Sequence, residues 1–490
     1  MNLLYLFIVP LLAVVLIALA RTSQQVKGVA LGSSVAQLGL ILLLSIRYSA
    51  ERAGGNGAPL LFEMNQQLIK SWNIHFHLGV DGISIAMLLL TSLVVLAGVL
   101  MSWNVEKMTK EFFLLLLLLS VGAYGFFISF DLFVLFFFLE ISVIPKYLLI
   151  GIWGSGKKEY SANKLALLLM GGSALILVGM LGLYFTANYT FDIQEIAALR
   201  IPASLQNLLF PLLFVGFGIF SALFPFHTWV PDGHSSAPTA GSMFLAGISM
   251  KLGGYGCLRV ATYLLPKGAI FYADSIIILA AIAILYGAFA TMMQKDLKYI
   301  NAYSSISHVG FSLLGIGLLT QTAITGSLLQ MVSHGLMTAL FFAVIGMIYD
   351  RTHTRQVEEM GGLQKTMPFI TTIFFLVGLC SLGLPGLSGF VAEMTVFVGG
   401  WQNSATLPRV ATIAAACSIV VTAVYILRAI GRTAMGPIGA SFAQLPDARW
   451  NEKAAAILLL IAILAIGLAP NWLVSLLEPS SAQLIYRIIG

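Results

Sequence analysis

Six ionisable side chains lie within long apolar stretches of the sequence. They are Glu140, Lys146, Lys251, His308, His334 and Glu393. A charge at the centre of a membrane helix costs about 2.5–3.5 kcal/mol on insertion scales, so such residues are rare without a function. Carboxylates, amines and imidazoles can hold or release a proton once burial and neighbouring charges change their affinity for it. The set therefore predicts a proton relay.

Salt bridges that only fix the packing of helices are the alternative interpretation of these charges. An ion pair needs two residues, and six candidates favour the relay. His308 or His334 considered alone is more often a hydrogen-bonded core residue than a proton carrier. Arg259, one or two turns from the end of its helix, is predicted to be an anchor that extends its long side chain to the membrane interface.

The composition identifies the elements that must position these side chains. The chain has 490 residues, of which 59% are apolar and 9% are charged, whereas a soluble domain carries about 25% charge. A water-soluble protein is excluded, and residues 1–490 are predicted to form a single integral membrane domain. Apolar runs of about 17–25 residues predict about fourteen spanning helices, which we number 1–14. They start near residues 2, 28, 81, 112, 131, 165, 207, 240, 275, 299, 323, 367, 407 and 453.

The net charge of +6 is explained by topology, so no nucleic-acid partner is expected. Lys and Arg residues are concentrated in loops opposite the termini, including 107–110, 157–164 and 428–432. Cytoplasmic loops are enriched in basic residues. The pattern predicts a multi-pass protein of the cell inner (plasma) membrane with both termini on the periplasmic side.

Two of the predicted helices are interrupted. Pro-Phe-His-Thr-Trp-Val-Pro-Asp-Gly-His at 225–234 breaks helix 7, and Gly-Leu-Pro-Gly-Leu-Ser-Gly at 383–389 breaks helix 12. Broken helices at matching places in two halves are typical of transporters built from repeats. His227, Asp232 and His234 at the first break could be metal ligands, but a water-lined joint is favoured because they lack a ligand-type spacing.

Redox centres are not expected in this chain. Cys257, Cys380 and Cys417 lie in apolar runs without C-x-x-C spacing, so neither an iron–sulfur cluster nor a zinc site is predicted. The sequence also lacks a dinucleotide-binding fingerprint. No cofactor or metal is therefore expected here.

The segment FPFHTWVPDGHSSAPTAGSMFLAGISMKLGGYGCLR at 224–259 resembles the signature of the antiporter-like subunits of respiratory complex I. Within that family it is most similar to the M-type subunit of NADH:quinone oxidoreductase. Further stretches of resemblance lie at 77–91, 139–154, 296–311, 331–342 and 383–399.

This resemblance implies an all-α polytopic membrane protein of about fourteen helices containing two inverted five-helix repeats. The repeats are expected at 112–264, helices 4–8, and at 275–430, helices 9–13, with helices 7 and 12 broken. NADH, FMN, iron–sulfur clusters and quinone would be bound by other subunits, and L-type and N-type antiporter-like subunits would be neighbours. The implied proton path uses Glu140, Lys251, His308, His334 and Glu393.

The acid at Glu393 is the feature that the resemblance associates with M-type subunits, because a lysine is expected there in L-type and N-type subunits and in cation/proton antiporters. Two other functions stay open. The first is a Mrp-type or hydrogenase-linked cation/proton antiporter subunit. The second is a membrane scaffold whose polar residues are structural only.

One position departs from the family pattern. The resemblance implies a lysine on helix 7 that acts on the helix 5 glutamate, but Phe220 occupies that position. We hypothesise that Lys146 supplies the missing positive charge. Six residues of regular helix separate Lys146 from Glu140 by about 9 Å, but Pro145 can kink the helix and leave room for water. Alternatively, Lys146 extends toward the interface near Trp153.

Overall fold

The computed structural model describes residues 2–489 and contains a helix at each of the predicted positions. Within these residues, ten helices have the length and apolar composition to cross a membrane, and two more apolar helices are shorter. The figure of about fourteen crossings stays a prediction. The uninterrupted helices 1–4, 6, 9–11, 13 and 14 span Tyr5–Leu19, Ser23–Ala53, Gly82–Met101, Thr109–Ile128, Lys158–Thr186, Pro266–Met292, Leu297–Gly317, Gln321–Thr352, Thr406–Ala434 and Trp450–Leu468.

Helices 7 and 12 are broken, as predicted. Helix 7 comprises Ala203–Phe220 and Trp229–Ser236, with a short 3-10 turn between them. Helix 12 comprises Pro368–Ser381 and Ser388–Gln402, separated by glycines at positive φ. Proline removes a donor and glycine permits positive φ, so both sequences favour such interruptions.

Helix 5 is also interrupted, between Leu132–Ile141 and Val143–Trp153. Pro145 has no N–H to donate to the carbonyl of Ile141, one turn earlier, which explains the kink at Ser142. The predicted interruption of the helix is present and lies between Glu140 and Lys146, whereas room for water there stays a prediction.

Helix 8 begins with the α-helical Thr239–Phe244 and contains two π-helical segments that the sequence did not predict. Leu245–Ser249 and Cys257–Thr262 are π-helical and flank the α-helical Met250–Gly256. A π turn shifts the hydrogen-bonding pattern and occurs frequently at functional sites. Within the first of these segments, the carbonyl of Ala246 accepts a hydrogen bond of 2.5 Å from Lys251 Nζ.

A β-hairpin between helices 2 and 3 was likewise not predicted. Strand β1, Leu61–Ile69, pairs antiparallel with strand β2, Ile74–Val80. The hairpin packs on one end of the bundle, where Leu78 forms a β-bridge with Ser129 at the end of helix 4. We call this end the hairpin face and the other end the opposite face.

The chain ends in a further helix, Asn471–Ile489, which we call helix 15. It lies across the hairpin face rather than along the bundle. Ser481 Oγ is 2.8 Å from Thr325 Oγ1 near the start of helix 11. Arg487 Nε donates a 2.7 Å hydrogen bond to the carbonyl of Tyr263 at the end of helix 8. Helix 15 therefore covers ends of the helices that carry the central polar residues.

Candidate functional site

Four of the six predicted relay residues form one connected chain in the core. Lys251 Nζ on helix 8 lies 2.9 Å from His334 Nδ1 on helix 11. The rings of His334 and His308 have centroids 5.5 Å apart. His308 Nδ1 on helix 10 lies 3.2 Å from Glu393 Oε1 on helix 12. All four are at most 4% exposed, so their side chains are shielded from bulk solvent.

The break in helix 12 supplies polar groups and space at the Glu393 end. Ser381 Oγ, at the end of the first half, lies 3.1 Å from His308 Nε2. A Cβ atom at Gly383 would lie 2.8 Å from Glu393 Oε2, so glycine leaves the room that this carboxylate needs. Ser388, at the start of the second half, accepts a hydrogen bond of 2.8 Å from Ser333 on helix 11. The break thus positions both the acid and the imidazole.

Glu140 and Lys146 form a separate group on helix 5. Glu140 Oε1 accepts a short hydrogen bond from Ser173 Oγ on helix 6. Lys146 is only 2% exposed, and its Nζ donates a 3.0 Å hydrogen bond to Ser142 Oγ, one turn back toward Glu140. The alternative in which Lys146 extends to the interface is therefore wrong, because its ammonium group is buried and points the other way.

Phe220, the residue in place of the family's helix 7 lysine, lies beside Lys146. The Lys146 Nζ atom is 6.0 Å from the centroid of the Phe220 ring. A cation at this distance from an aromatic face is attracted to it. The Lys146 amine therefore lies in the neighbourhood where the resemblance implies a positive charge.

His234 lies in the core beyond the break of helix 7. Its ring stacks on Phe342, with centroids 5.3 Å apart, and lies 6.1 Å from the ring of Trp229. Neither ring nitrogen has a hydrogen-bond partner among residues 2–489. Buried polar groups without a protein partner usually bind ordered water. Sequence reasoning did not include His234 in the relay, although its position in the broken segment favours a water-lined site.

The three possible metal ligands at this break do not converge. Asp232 Oδ2 pairs instead with Lys164 Nζ at 2.7 Å, and His227 stacks on Phe224 with ring centroids 5.4 Å apart. Within the described part of the chain, no cluster of three or more potential ligands is present. The water-lined joint stays the preferred interpretation.

Arg259 is not an interface anchor, and that prediction is wrong. It is 8% exposed and forms a salt bridge with Asp81, the N-cap of helix 3. Its Nε also lies 3.3 Å from Tyr255 Oη. The carboxylate of Asp81 compensates the buried charge of Arg259, so the arginine side chain does not need to extend to the interface. Lys298, just before the predicted start of helix 10 near residue 299, is similarly buried and donates a 2.6 Å hydrogen bond to the carbonyl of Ala237.

Comparisons with known proteins agree with this architecture. Residues 129–422 match the family described as NADH:quinone oxidoreductase/Mrp antiporter, transmembrane. NAD(P)H-quinone oxidoreductase chain 4 1 of Synechococcus sp. (strain JA-2-3B'a(2-13)) is 36% identical over 95% of this chain and 89% of its own length. The chloroplastic NAD(P)H-quinone oxidoreductase chain 4 of Angiopteris evecta is 38% identical over 86% of each chain.

Solved structures share the complete fold. A chain of respiratory complex I from Thermus thermophilus with bound NADH superposes with a TM-score of 0.91 and 25% identity, covering 100% of both chains. A chain of the Mrp complex from Dietzia sp. DQ12-45-1b has a TM-score of 0.86 at 20% identity, covering 100% of this chain and 99% of its own. The second likeness shows the fold alone.

Proposed function

The chain belongs to the NADH:quinone oxidoreductase/Mrp antiporter family and is an antiporter-like chain 4 subunit of complex I, and from this premise we propose that it moves protons along its buried polar axis. It is a membrane protein, and other subunits of the complex are its partners. Electron transfer would take place in those subunits and would drive the proton movement by changing the charges along the axis.

The connected chain of Lys251, His334, His308 and Glu393 is the observation that supports this proposal. Lys251 Nζ lies 2.9 Å from His334 Nδ1, and His308 Nδ1 lies 3.2 Å from Glu393 Oε1. Proton transfer within either pair therefore requires little movement of the side chains. An ammonium group at Lys251 can give its proton to His334 Nδ1. The imidazole then releases a proton from Nε2, which has no protein partner among the described residues and can bind water.

Glu140 is proposed to be the first station, and Lys146 its positive partner. The hydrogen bond from Ser173 stabilises the charged carboxylate of Glu140, whereas the partial burial of Glu140 favours the neutral acid. Lys146 on the same kinked helix adds a charge that favours proton release. His234, with both ring nitrogens free for water, lies beyond the nearby break and extends the hydrated region toward the opposite face.

The two proposed repeats, 112–264 and 275–430, are supported by a matching backbone arrangement. Asp131 caps helix 5 on the hairpin face and forms a β-bridge with Asp192, after helix 6. Asp296 caps helix 10 on the opposite face and forms a β-bridge with Gln356, after helix 11. An aspartate that both caps a helix and forms a β-bridge therefore occurs once at each end of the bundle, as expected of inverted repeats.

The surroundings of the subunit are proposed on the same basis. L-type and N-type antiporter-like subunits would be its neighbours, and NADH, FMN, iron–sulfur clusters and quinone would be bound elsewhere in the complex. The distribution of basic loops supports a location in the cell inner (plasma) membrane with both termini, and hence the hairpin face, in the periplasm.

Replacing Glu140 tests the proposal. Glutamine keeps the volume and the hydrogen bond of the side chain but cannot exchange a proton. In sealed vesicles containing the complete complex, Glu140→Gln should lower proton uptake at least tenfold. The exposed Glu111 provides a matched control, and Glu111→Gln should leave uptake unchanged. Wild-type uptake by an assembled Glu140→Gln complex would favour the scaffold, and uptake that requires sodium would favour a cation antiporter.

A further inference from the structure

Three residues at four-residue intervals form a polar line on helix 8. Lys251, Tyr255 and Arg259 follow one another along a single face and are all buried. Residues four apart in a helix lie above one another. Arg259 Nε is 3.3 Å from Tyr255 Oη, and the guanidinium also pairs with Asp81. This line leads from the centre of the proton axis toward the hairpin face.

Asp81 has two roles at the end of this line. Its Oδ1 accepts a 2.9 Å hydrogen bond from the backbone N–H of Ser84 and caps helix 3, while its Oδ2 pairs with Arg259. The residue is 2% exposed. A cap requires only a hydrogen-bond acceptor, which serine or asparagine provides equally well. The charge of Asp81 is therefore available for another function.

A cavity of about 340 Å³ lies immediately outside the ion pair, on the hairpin face. Asp81, Arg259, Tyr263, Gln483 and Arg487 are among its lining residues. A water molecule needs only about 10–15 Å³ by this measure, so the cavity has room for a hydrated path. Helix 15 contributes Gln483 and Arg487, and thus forms one wall of the cavity.

We propose that Asp81 is a proton-accepting station through which the axis exchanges protons with the hairpin face, and that its salt bridge with Arg259 closes this route at rest. The proposal rests on the proposed function, because it gives the central Lys251 a connection to one side of the membrane.

The ammonium group of Lys251 releases one proton to water beside Tyr255. Water then passes a proton to the carboxylate of Asp81, because the hydroxyl of Tyr255 donates its own proton to the carbonyl of Phe127 at 3.3 Å. Neutral Asp81 no longer attracts Arg259, and its proton passes to water in the cavity. The restored carboxylate pairs again with Arg259, and neutral Lys251 is reprotonated from the axis.

The test uses the complete complex in sealed vesicles. Asp81→Asn keeps the cap and the size of the side chain but cannot accept a proton. Because this variant leaves Arg259 buried without its partner, which is destabilising in itself, the double variant Asp81→Asn/Arg259→Gln removes both charges together. We expect proton uptake at least tenfold below wild type in both variants, with normal assembly of the double variant.

Two further variants show whether the effect depends on the charges of Asp81 and Arg259. Arg259→Lys keeps a cation beside Asp81 and should retain part of the uptake. Asp274→Asn alters an exposed carboxylate on helix 9 and should leave uptake unchanged. Infrared difference spectra recorded during turnover should contain a carboxylic acid band that Asp81→Asn abolishes, which a purely structural ion pair would not produce.

Wild-type uptake by the double variant would overturn the proposal, since a structural salt bridge can be replaced by a neutral pair. A turnover spectrum unchanged by Asp81→Asn would also overturn it. If these results occur while Glu140→Gln still loses uptake, only the role of Asp81 is wrong. If Glu140→Gln pumps normally, the proposed function itself fails.

Discussion

Removing the charge of Glu393 should weaken the last proton transfer of the connected chain. Glu393 Oε1 lies 3.2 Å from His308 Nδ1, and the two side chains are 4% and 3% exposed. At this separation, opposite unit charges attract by about 5 kcal/mol if the effective dielectric constant is about 20. Observed effects of a neighbouring opposite charge on proton affinity are smaller, about 1.4–4 kcal/mol. Glu393→Gln removes this attraction, and a loss of about 1.4–4 kcal/mol corresponds to a factor of about ten to a thousand in an equilibrium constant.

The assay measures proton uptake by sealed vesicles together with the rate of quinone reduction. Glu393→Gln should lower uptake at least tenfold. Glu393→Asp keeps the charge on a side chain one methylene shorter and should retain partial uptake, whereas Glu393→Ala should retain very little. Glu478 is exposed on helix 15, and Glu478→Gln serves as the control.

Equal uptake by Glu393→Asp and Glu393→Ala would refute this reasoning, because it would mean that the carboxylate is not what matters at this position. Wild-type uptake by Glu393→Gln would refute it more broadly, since the pairing with His308 would then have no influence on proton movement.

Two other predictions concern helix 5 and the hairpin. Lys146→Met should impair proton uptake, and Phe220→Lys added to the same complex should restore it, because Lys146 Nζ lies 6.0 Å from the Phe220 ring. Full uptake by Lys146→Met alone would contradict the hypothesis that Lys146 replaces the lysine missing at Phe220. Burial disfavours the charged form of His77 on strand β2, but its hydrogen bonds with Asp192 and Glu63 outweigh this and raise its pKa. A raised pKa stabilises the folded hairpin fully below about pH 6.5, and this contribution is lost as pH rises through the higher folded value. Amide hydrogen exchange of the hairpin, corrected for the intrinsic effect of pH, should therefore quicken over that range in the wild type and not in His77→Gln.

The sequence could single out the buried ionisable residues because such residues in membrane helices are costly, and this cost identifies Glu140 or Lys251 without knowledge of any contact. It could not predict which residues pair. Arg259 shows why: its partner Asp81 is 178 residues away and has the local pattern of a helix cap. The position of Arg259 eight residues after Lys251 was the available signal, since it places both on one face of a helix.

The breaks in helices 7 and 12 could be predicted because proline and glycine act through the local backbone. The π-helical segments Leu245–Ser249 and Cys257–Thr262 have no such local signature and depend on how helix 8 packs. Helix 15 was not predicted for a related reason. It is amphipathic, and its apolar side is covered by the end of the bundle, which the local sequence does not reveal.

The most direct measurement is the number of protons taken up per quinone reduced by the complex carrying Lys251→Met. Lys251 joins the two halves of the proposed path, with His334 at 2.9 Å on one side and Tyr255 one turn away on the other. Methionine fills a similar volume without binding a proton. We predict that the assembled variant takes up fewer protons per quinone, or turns over at least tenfold more slowly if proton uptake and quinone reduction are tightly coupled. An assembled Lys251→Met complex with the wild-type rate and the wild-type number of protons would contradict it.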